Sequence, residues 1–292
     1  MADRVDCGVP NGLGRRGETL YGGERMNLRR AIHLVRLFIQ VSVQNLSAYR
    51  FDMYVRIGVS LMHLVSELLV VWTIFHNTQS IGGWRWQHML VLMGVYRMIA
   101  GGIRMSIVPN MRRVLEEIMD GTLDFVLMRP VNAQFLVSIR EFVVWRAVDV
   151  FLGLSIALFG AIKLTGVIPL REALIFCAML AAGFVIVYSI WLALATLCFW
   201  FVRIQNIEMI FWNVFEAGRF PITIYPPGVQ WTLTYILPIA FIIMFPAAAL
   251  TGDDDKLPAA MPIIAALLAA AAFVASGWFW RFGLRRYSGA SA

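Results

Sequence analysis

Three ionisable residues, Glu67, Arg97 and Asp149, stand inside long apolar runs of this sequence. An ionised side chain at the centre of a bilayer costs about 2.5–3.5 kcal/mol on insertion scales, so such a group faces a partner or a wet cavity. Counted at about 1.5 Å per residue from the inner ends of their runs, Glu67 and Arg97 fall at similar depth, and a pair between them is expected. Two roles are open to the three residues: a polar contact along a translocation path, or a clamp between neighbouring helices.

Other chemistries find little support. His33, His63, His76 and His88 have no i, i+4 partner and no HExxH pattern, which argues against a catalytic metal. There is no serine nucleophile elbow and no GxxxxGK[ST] phosphate loop, so any ATP must be bound by another chain. Gly12-x-Gly14-x-x-Gly17 has the spacing of a dinucleotide fingerprint, but that fingerprint needs a hydrophobic strand before it, and the preceding residues are short and polar. Cys7, Cys177 and Cys198 form no CxxC or metal spacing and read as small hydrophobes.

Hydrophobic residues make up 60% of the 292 and charged residues 15%, against about 45–50% and 25% in soluble domains. The elements that must position Glu67, Arg97 and Asp149 are therefore membrane helices, and the fold class is all-α and polytopic. Residues 1–26 read as a flexible cytoplasmic tail without the apolar core of a signal peptide, and 27–292 as one transmembrane domain. In residues 27–47, Arg29, His33, Arg36, Gln40, Gln44 and Ser47 recur at steps of three and four and define one polar stripe. Such a helix lies along the inner membrane surface, against lipid headgroups.

The expected spans are 51–75, 84–108, 135–162 and 171–202, with 258–280 as the last. Between 203 and 258 two readings compete. Either 207–219 is a short fifth span and the proline-rich stretch 220–250 dips back from outside as re-entrant helices, or the fifth span is 229–250. Pro221, Pro226, Pro227, Pro238 and Pro246 cannot all sit in one regular helix, which favours the dip and a total of six spans. Of the 25 Lys and Arg, all but Arg85, Lys163, Arg171, Arg219, Lys256 and the intramembrane Arg97 fall on one side. By the positive-inside rule that side is cytoplasmic, with both termini in the cytoplasm of a multi-pass cell-membrane protein. Basic residues flank spans and do not line one aromatic groove, so nucleic acid is not an expected partner.

The long charged interval between spans is 111–132. Arg112, Arg113, Glu116, Glu117 and Asp120 alternate helically with Val114, Leu115, Ile118 and Met119, as in a short interfacial helix that Gly121 can end. Leu123, Phe125, Val126 and Leu127 form a second apolar patch, Asp124 can hold the turn by accepting backbone hydrogen bonds, and Pro130 suits the first turn of the following helix. Taken as residues alone, the interval is equally readable as a solvated loop.

Gly121-x-Leu123-Asp124-x-x-Leu127-x-Arg129-Pro130-Val131 resembles a motif that follows the second span in a subfamily of ABC-2 type transporter permeases. A second match runs from Phe220-Pro221-Ile222-x-Ile224-Tyr225-Pro226 through Leu237-Pro238-x-Ala240-Phe241 to Pro246-Ala247. The resemblance covers about residues 26–283. It implies a permease subunit without its own ATPase site, paired with a second copy or a paralogue, resting on a pair of ATPase subunits that hold ATP and Mg2+, and exporting a substrate. It also implies a cytoplasmic coupling helix carrying Arg112, Leu115, Glu116, Ile118, Gly121, Leu123, Asp124, Leu127, Arg129 and Pro130, and re-entrant helices marked by Pro221, Tyr225, Pro226, Pro238 and Pro246. The rival readings are a membrane-embedded lipid-modifying enzyme using Glu67, Asp149 or Glu216, and an ion-driven secondary transporter.

Overall fold

Apolar runs of this length satisfy their backbone groups in lipid only as helices or closed barrels. The computed structural model describes residues 28–48, 50–200, 207–252 and 257–286, and among these there is no strand, only an isolated bridge between Ile81 and Trp84. The tail 1–26, the return at 203–206 and the acidic stretch 253–256 lie outside the described residues. The helices are α1 (Leu28–Ala48), α2 (Arg50–Asn77), α3 (Trp86–Gly102), α4 (Val108–Met119), α5 (Asp124–Leu127), α6 (Ala133–Ile139), α7 (Ala147–Thr165), α8 (Leu170–Leu197), α9 (Ile207–Glu216), α10 (Pro227–Trp231), α11 (Phe245–Thr251) and α12 (Met261–Leu284).

Among the described residues five stretches are long and apolar enough to cross a membrane: Phe51–Asn77, Trp86–Met119, Val144–Thr165, Leu170–Leu197 and Met261–Leu284. A pair bent by 75°, Pro227–Ile236 with Ala240–Thr251, makes six if it counts as one span. The expected fifth span at 207–219 is α9 and a 3-10 turn, Ala217–Arg219. Those 13 residues reach about 20 Å as a helix, short of the roughly 30 Å hydrocarbon layer.

The core is built around α3, whose residues 88–102 are all buried. It packs against α7 at backbone distance because small residues face each other. A Cβ on Gly94 would lie 2.5 Å from Ala157 N, and one on Gly153 2.5 Å from Met98 N. Close approach through small residues is how helices associate where lipid supplies no hydrophobic drive between them. By contrast α2 fully buries, among its described side chains, only Ser60, Leu64 and Val71, a narrow stripe continued by the half-buried Glu67, Leu68 and Phe75, and leaves most of its apolar surface outside.

The third span begins later than expected. α6 is a separate short helix capped by Asn132, whose side chain accepts from Phe135 N at 3.1 Å, so the helix starts at Ala133 and Pro130 stands before it. Between α6 and α7 the chain breaks at 140–143. Buried Asn110 fills the break: its Oδ1 accepts from Glu141 N at 2.9 Å and its Nδ2 donates to Glu141 O at 2.7 Å. Pro109 has no N–H to give to Met105 O, four residues back. That carbonyl, in the π turn Ile103–Ile107, accepts from Val143 N at 2.8 Å instead.

Contacts fix which loops share an end of the bundle. A Cβ on Gly160 would meet Gln87 O at 2.9 Å, so the α7–α8 connection lies with the turn 78–85 that precedes α3. Thr223 Oγ1 donates to Gly82 O at 3.0 Å, at the same end. Gly252, after α11, lies against Glu172 near the start of α8 and joins that end too. Arg112, at the opposite end on α4, pairs with Glu208 at the start of α9 at 2.6 Å.

Candidate functional site: a buried ion chain and a clamped surface helix

Six charged side chains from α2, α3, α7 and the α9 region alternate in sign. Glu216 Oε1 is 3.0 Å from Arg219 Nη1, and Arg219 Nη2 is 3.3 Å from Glu67 Oε1. Glu67 Oε2 is 2.9 Å from Arg97 Nη1, Arg97 Nη2 is 3.1 Å from Asp149 Oδ1, and Asp149 Oδ2 is 3.1 Å from Arg146 Nη1. Arg97 Nη2 also donates to Ser60 O at 2.6 Å and to Ser60 Oγ at 2.8 Å, and Ser60 Oγ donates to Asp149.

The sequence positions these groups. On α2, Ser60 and Glu67 lie two turns apart on the one stripe that faces α3. Asp149 sits in the first turn of α7, where the helix dipole favours a negative charge. Gly101 makes room for it, since a Cβ there would lie 2.9 Å from Asp149 Cβ. The side chains of Arg97 and Asp149 are each only 8% exposed, so each depends on the other and on Ser60, Glu67 and Arg146 in place of water. Arg219, expected at the outer end of the span 207–219, lies against Glu67 within the bundle, with its guanidinium 5.4 Å from the Tyr96 ring centroid.

The second region is the end of the bundle formed by α4 and α5. α4 ends in a Schellman motif: Thr122 N donates to Glu117 O at 2.9 Å, Gly121 N to Ile118 O at 3.4 Å, and Gly121 takes φ +69°. The turn expected of Asp124 is held by this backbone pattern, and the Asp124 carboxylate bonds to none of the described residues. Leu115 and Ile118, the apolar residues of the coupling helix that the resemblance implies, are half-buried against the core, as is Leu127, and Leu123 is fully buried. The apolar side chains left outside are Met119, Phe125 and Met128, the last two 67% and 72% exposed. Glu116, Arg129 and Pro130 are exposed around them.

Beneath that surface Glu117 accepts both prongs of Arg140, Nη1 and Nη2 each at 2.7 Å, and Arg113 bridges Glu117 at 3.2 Å to Glu141 at 2.6 Å. These pairs tie α4 to the elbow leading into α7. Arg140, Glu141 and Arg146 fall inside the run taken from sequence as the third span, and their charges were the available signal that the span starts after them.

At the other end, Pro226 caps α10, Pro238 stands in the break before the π turn Ala240–Met244, and Pro246 lies in the first turn of α11. Tyr225 OH donates to Ala217 O at 3.1 Å.

An all-helical bundle with five or six apolar spans, an internal ion chain and a surface helix braced against a span has the anatomy of a membrane transporter. The family model described as ABC-2 family transporter protein matches residues 61–291, from within α2 to beyond α12. The chain belongs to that family, and it is a multi-pass membrane transport permease. Membership implies association with an ABC ATPase, and permeases of this family typically lack an ATPase site of their own. The match leaves out α1, which the resemblance had included. No curated protein and no solved structure matches the chain.

Proposed function

We propose that this chain is the permease subunit of an ATP-driven exporter in the cell membrane, working with a second copy or a paralogue and with a separate pair of ATPase subunits that bind ATP and Mg2+. Residues 27–292 form its one transmembrane domain, with both termini cytoplasmic and α1 along the inner membrane surface against lipid. The observation that carries this reading is the rod Trp86–Met119. At 34 residues it is about 51 Å long, roughly 20 Å more than the hydrocarbon layer requires. Its far end, with α5, presents Met119, Phe125 and Met128 beside Glu116 and Asp120, an apolar centre with a charged rim of the kind that docks a partner.

Force applied to that patch would reach two spans at once, α3 directly and α7 through Glu117 and Arg140. Spans two and three would then swing as levers to open the path to the other side. In this reading 220–250 is re-entrant: Thr223 and Gly252 both lie at the end of the bundle that carries the 78–85 turn, and α9 with the turn after it leads toward that end from the Arg112 end. The carboxylates an embedded enzyme would use, Glu67, Asp149 and Glu216, are each committed to a guanidinium, which weakens that alternative.

The test is recovery of an ABC ATPase with the tagged chain in mild detergent, identified by mass spectrometry. Phe125→Ser with Met128→Ser should lower that recovery at least tenfold, since each exposed apolar anchor contributes roughly 1.5–3 kcal/mol when buried. Unchanged recovery from a normally inserted variant rejects the docking surface. ATP-dependent uptake into inside-out vesicles, but not into right-side-out ones, identifies export.

A further inference from the structure

Among the described residues Arg104 is a cation with no carboxylate in contact with it. In the ion chain Arg97, Arg146 and Arg219 meet Glu67, Asp149 and Glu216, three guanidinium groups on three carboxylates, all engaged with one another. Arg104 is a fourth positive charge in excess, within electrostatic reach of Arg146, Arg219 and Asp149. Among the described residues its guanidinium has no ion pair and no side-chain hydrogen bond. What it has is a ring: its Cζ lies 4.1 Å from the centroid of Trp212 on α9. An aromatic contact on the face of a guanidinium leaves the in-plane N–H donors free, and that fork matches an oxyanion.

The position narrows the ligand further. Counted from Trp86, Arg104 stands about 27 Å along the helix, near the far edge of a hydrocarbon layer roughly 30 Å thick. It is exposed on the side of the chain shared with α9, as are Glu216 and, in part, Arg219. Both carboxylates of α9 are occupied, Glu208 by Arg112 at 2.6 Å and Glu216 by Arg219 at 3.0 Å.

We propose that Arg104 and Trp212, flanked by Arg146 and Arg219, form a receiving site for a phosphate-type oxyanion carried on an apolar body, entered sideways at inner-leaflet depth. The cargo of the permease is then an anionic amphiphile. Calling this ligand cargo rests on the permease reading, whereas its binding to the chain alone does not.

The experiment is native mass spectrometry of the full chain released from a neutral maltoside detergent after incubation with phosphatidylglycerol and phosphatidylcholine of equal chain length. Wild type retains phosphatidylglycerol in preference. Arg104→Gln lowers that retention about tenfold, the loss expected for one charge-assisted contact, with phosphatidylcholine retention unchanged and thermal unfolding shifted only slightly, because the ring contact with Trp212 is lost but no ion pair is broken. Arg104→Lys, which keeps the charge but not the fork, falls between the two and carries the comparison should Arg104→Gln unfold. Inorganic phosphate separates the sources: displacement of the lipid at matched concentration supports recognition of the oxyanion alone, and failure to displace supports headgroup and acyl body together. Equal phosphatidylglycerol retention by wild type and Arg104→Gln overturns the site, and leaves the permease reading to be judged on ATPase recovery.

Discussion

Arg140 closes a two-pronged salt bridge on Glu117, each of its terminal nitrogens 2.7 Å from a carboxylate oxygen, across the junction between the surface helix α4 and the elbow before α7. Arg140 is 7% exposed and Glu117 15%, so the pair is largely out of water and single removals are costly. Breaking such a pair costs about 3–5 kcal/mol, because the surviving charge is left without a partner. Glu117→Gln should therefore lower thermal stability in detergent, and at temperatures where it remains folded it should hydrolyse ATP with its ATPase while transporting poorly. Normal transport per ATP hydrolysed would mean that force does not pass through this pair.

The ion chain makes an unequal prediction for its members. Arg97→Gln releases Glu67 and Asp149 together, leaving each with one guanidinium, Arg219 at 3.3 Å and Arg146 at 3.1 Å. Glu67→Gln releases Arg97 and Arg219, which keep Asp149 at 3.1 Å and Glu216 at 3.0 Å, but Arg97 is the more buried partner and alone also holds Ser60. Thermal unfolding followed by tryptophan fluorescence should rank Arg97→Gln as the more damaging. The double change should cost less than the sum of the singles, since residues in one network do not act independently. Additivity to within about 0.5 kcal/mol would show that Glu67 and Arg97 are not coupled.

Much of this arrangement was legible in the sequence because bilayer physics is strict about length and charge. Glu67 and Arg97 stood out as ions in apolar runs, and Gly121 as the end of a helix, since a positive φ there suits glycine. What escaped was set by tertiary contacts. Nothing local says that Asn110 will fill the gap at 140–143, or that Arg219 will turn inward to Glu67. Leu115 and Ile118 were assigned to the exposed face because an amphipathic helix shows which side is apolar but not what covers it. The glycines of α3 and α7 carried a readable signal in Gly153-x-x-x-Ala157-x-x-x-Ala161, small residues at one-turn intervals.

That small-residue contact is itself testable. A Cβ at Gly94 or Gly153 would sit 2.5 Å from the backbone of the facing helix, and a backbone cannot swing aside as a side chain tip does. Gly94→Val and Gly153→Val should therefore force α3 and α7 apart, carrying Arg97 away from Asp149. Gly58→Val, on the open side of α2 where an added Cβ meets nothing within 4 Å, serves as the control. Loss of folded yield in the first two and not in the third is the expected pattern, and equal yields would deny the close packing.

Topology can be read with single cysteines. Gly228 is exposed and an added Cβ there meets nothing within 4 Å, and Ala259 is exposed before α12. In a background where Cys7, Cys177 and Cys198 are replaced by Ser or Ala, cysteines at 228 and 259 should both react with an impermeant maleimide added outside intact cells. Reaction at 228 only after the cytoplasmic side is opened would place a complete span between the two sites and remove the re-entrant reading.

The last prediction concerns Gly121, where the conformation required and the residue types able to adopt it are both known. At φ +69° a side chain meets its own backbone, a cost that Asn bears far better than Val. Two backbone donors, Thr122 N at 2.9 Å and Leu123 N at 3.2 Å, converge on Glu117 O only if this turn forms, and Glu117 is the residue that Arg140 grips. A distorted turn would thus loosen the docking patch at Phe125 and Met128 and disturb the link to α7 in one step. Gly121→Asn should retain coupling, while Gly121→Val should keep some ATPase association, because Met119 remains exposed on α4, yet separate hydrolysis from transport. The measurement is transported substrate per ATP hydrolysed in reconstituted vesicles, across Gly, Asn and Val at this one position. If the three give the same ratio with normal insertion, the left-handed turn has no part in transmission, and the coupling route through α4 loses its physical basis.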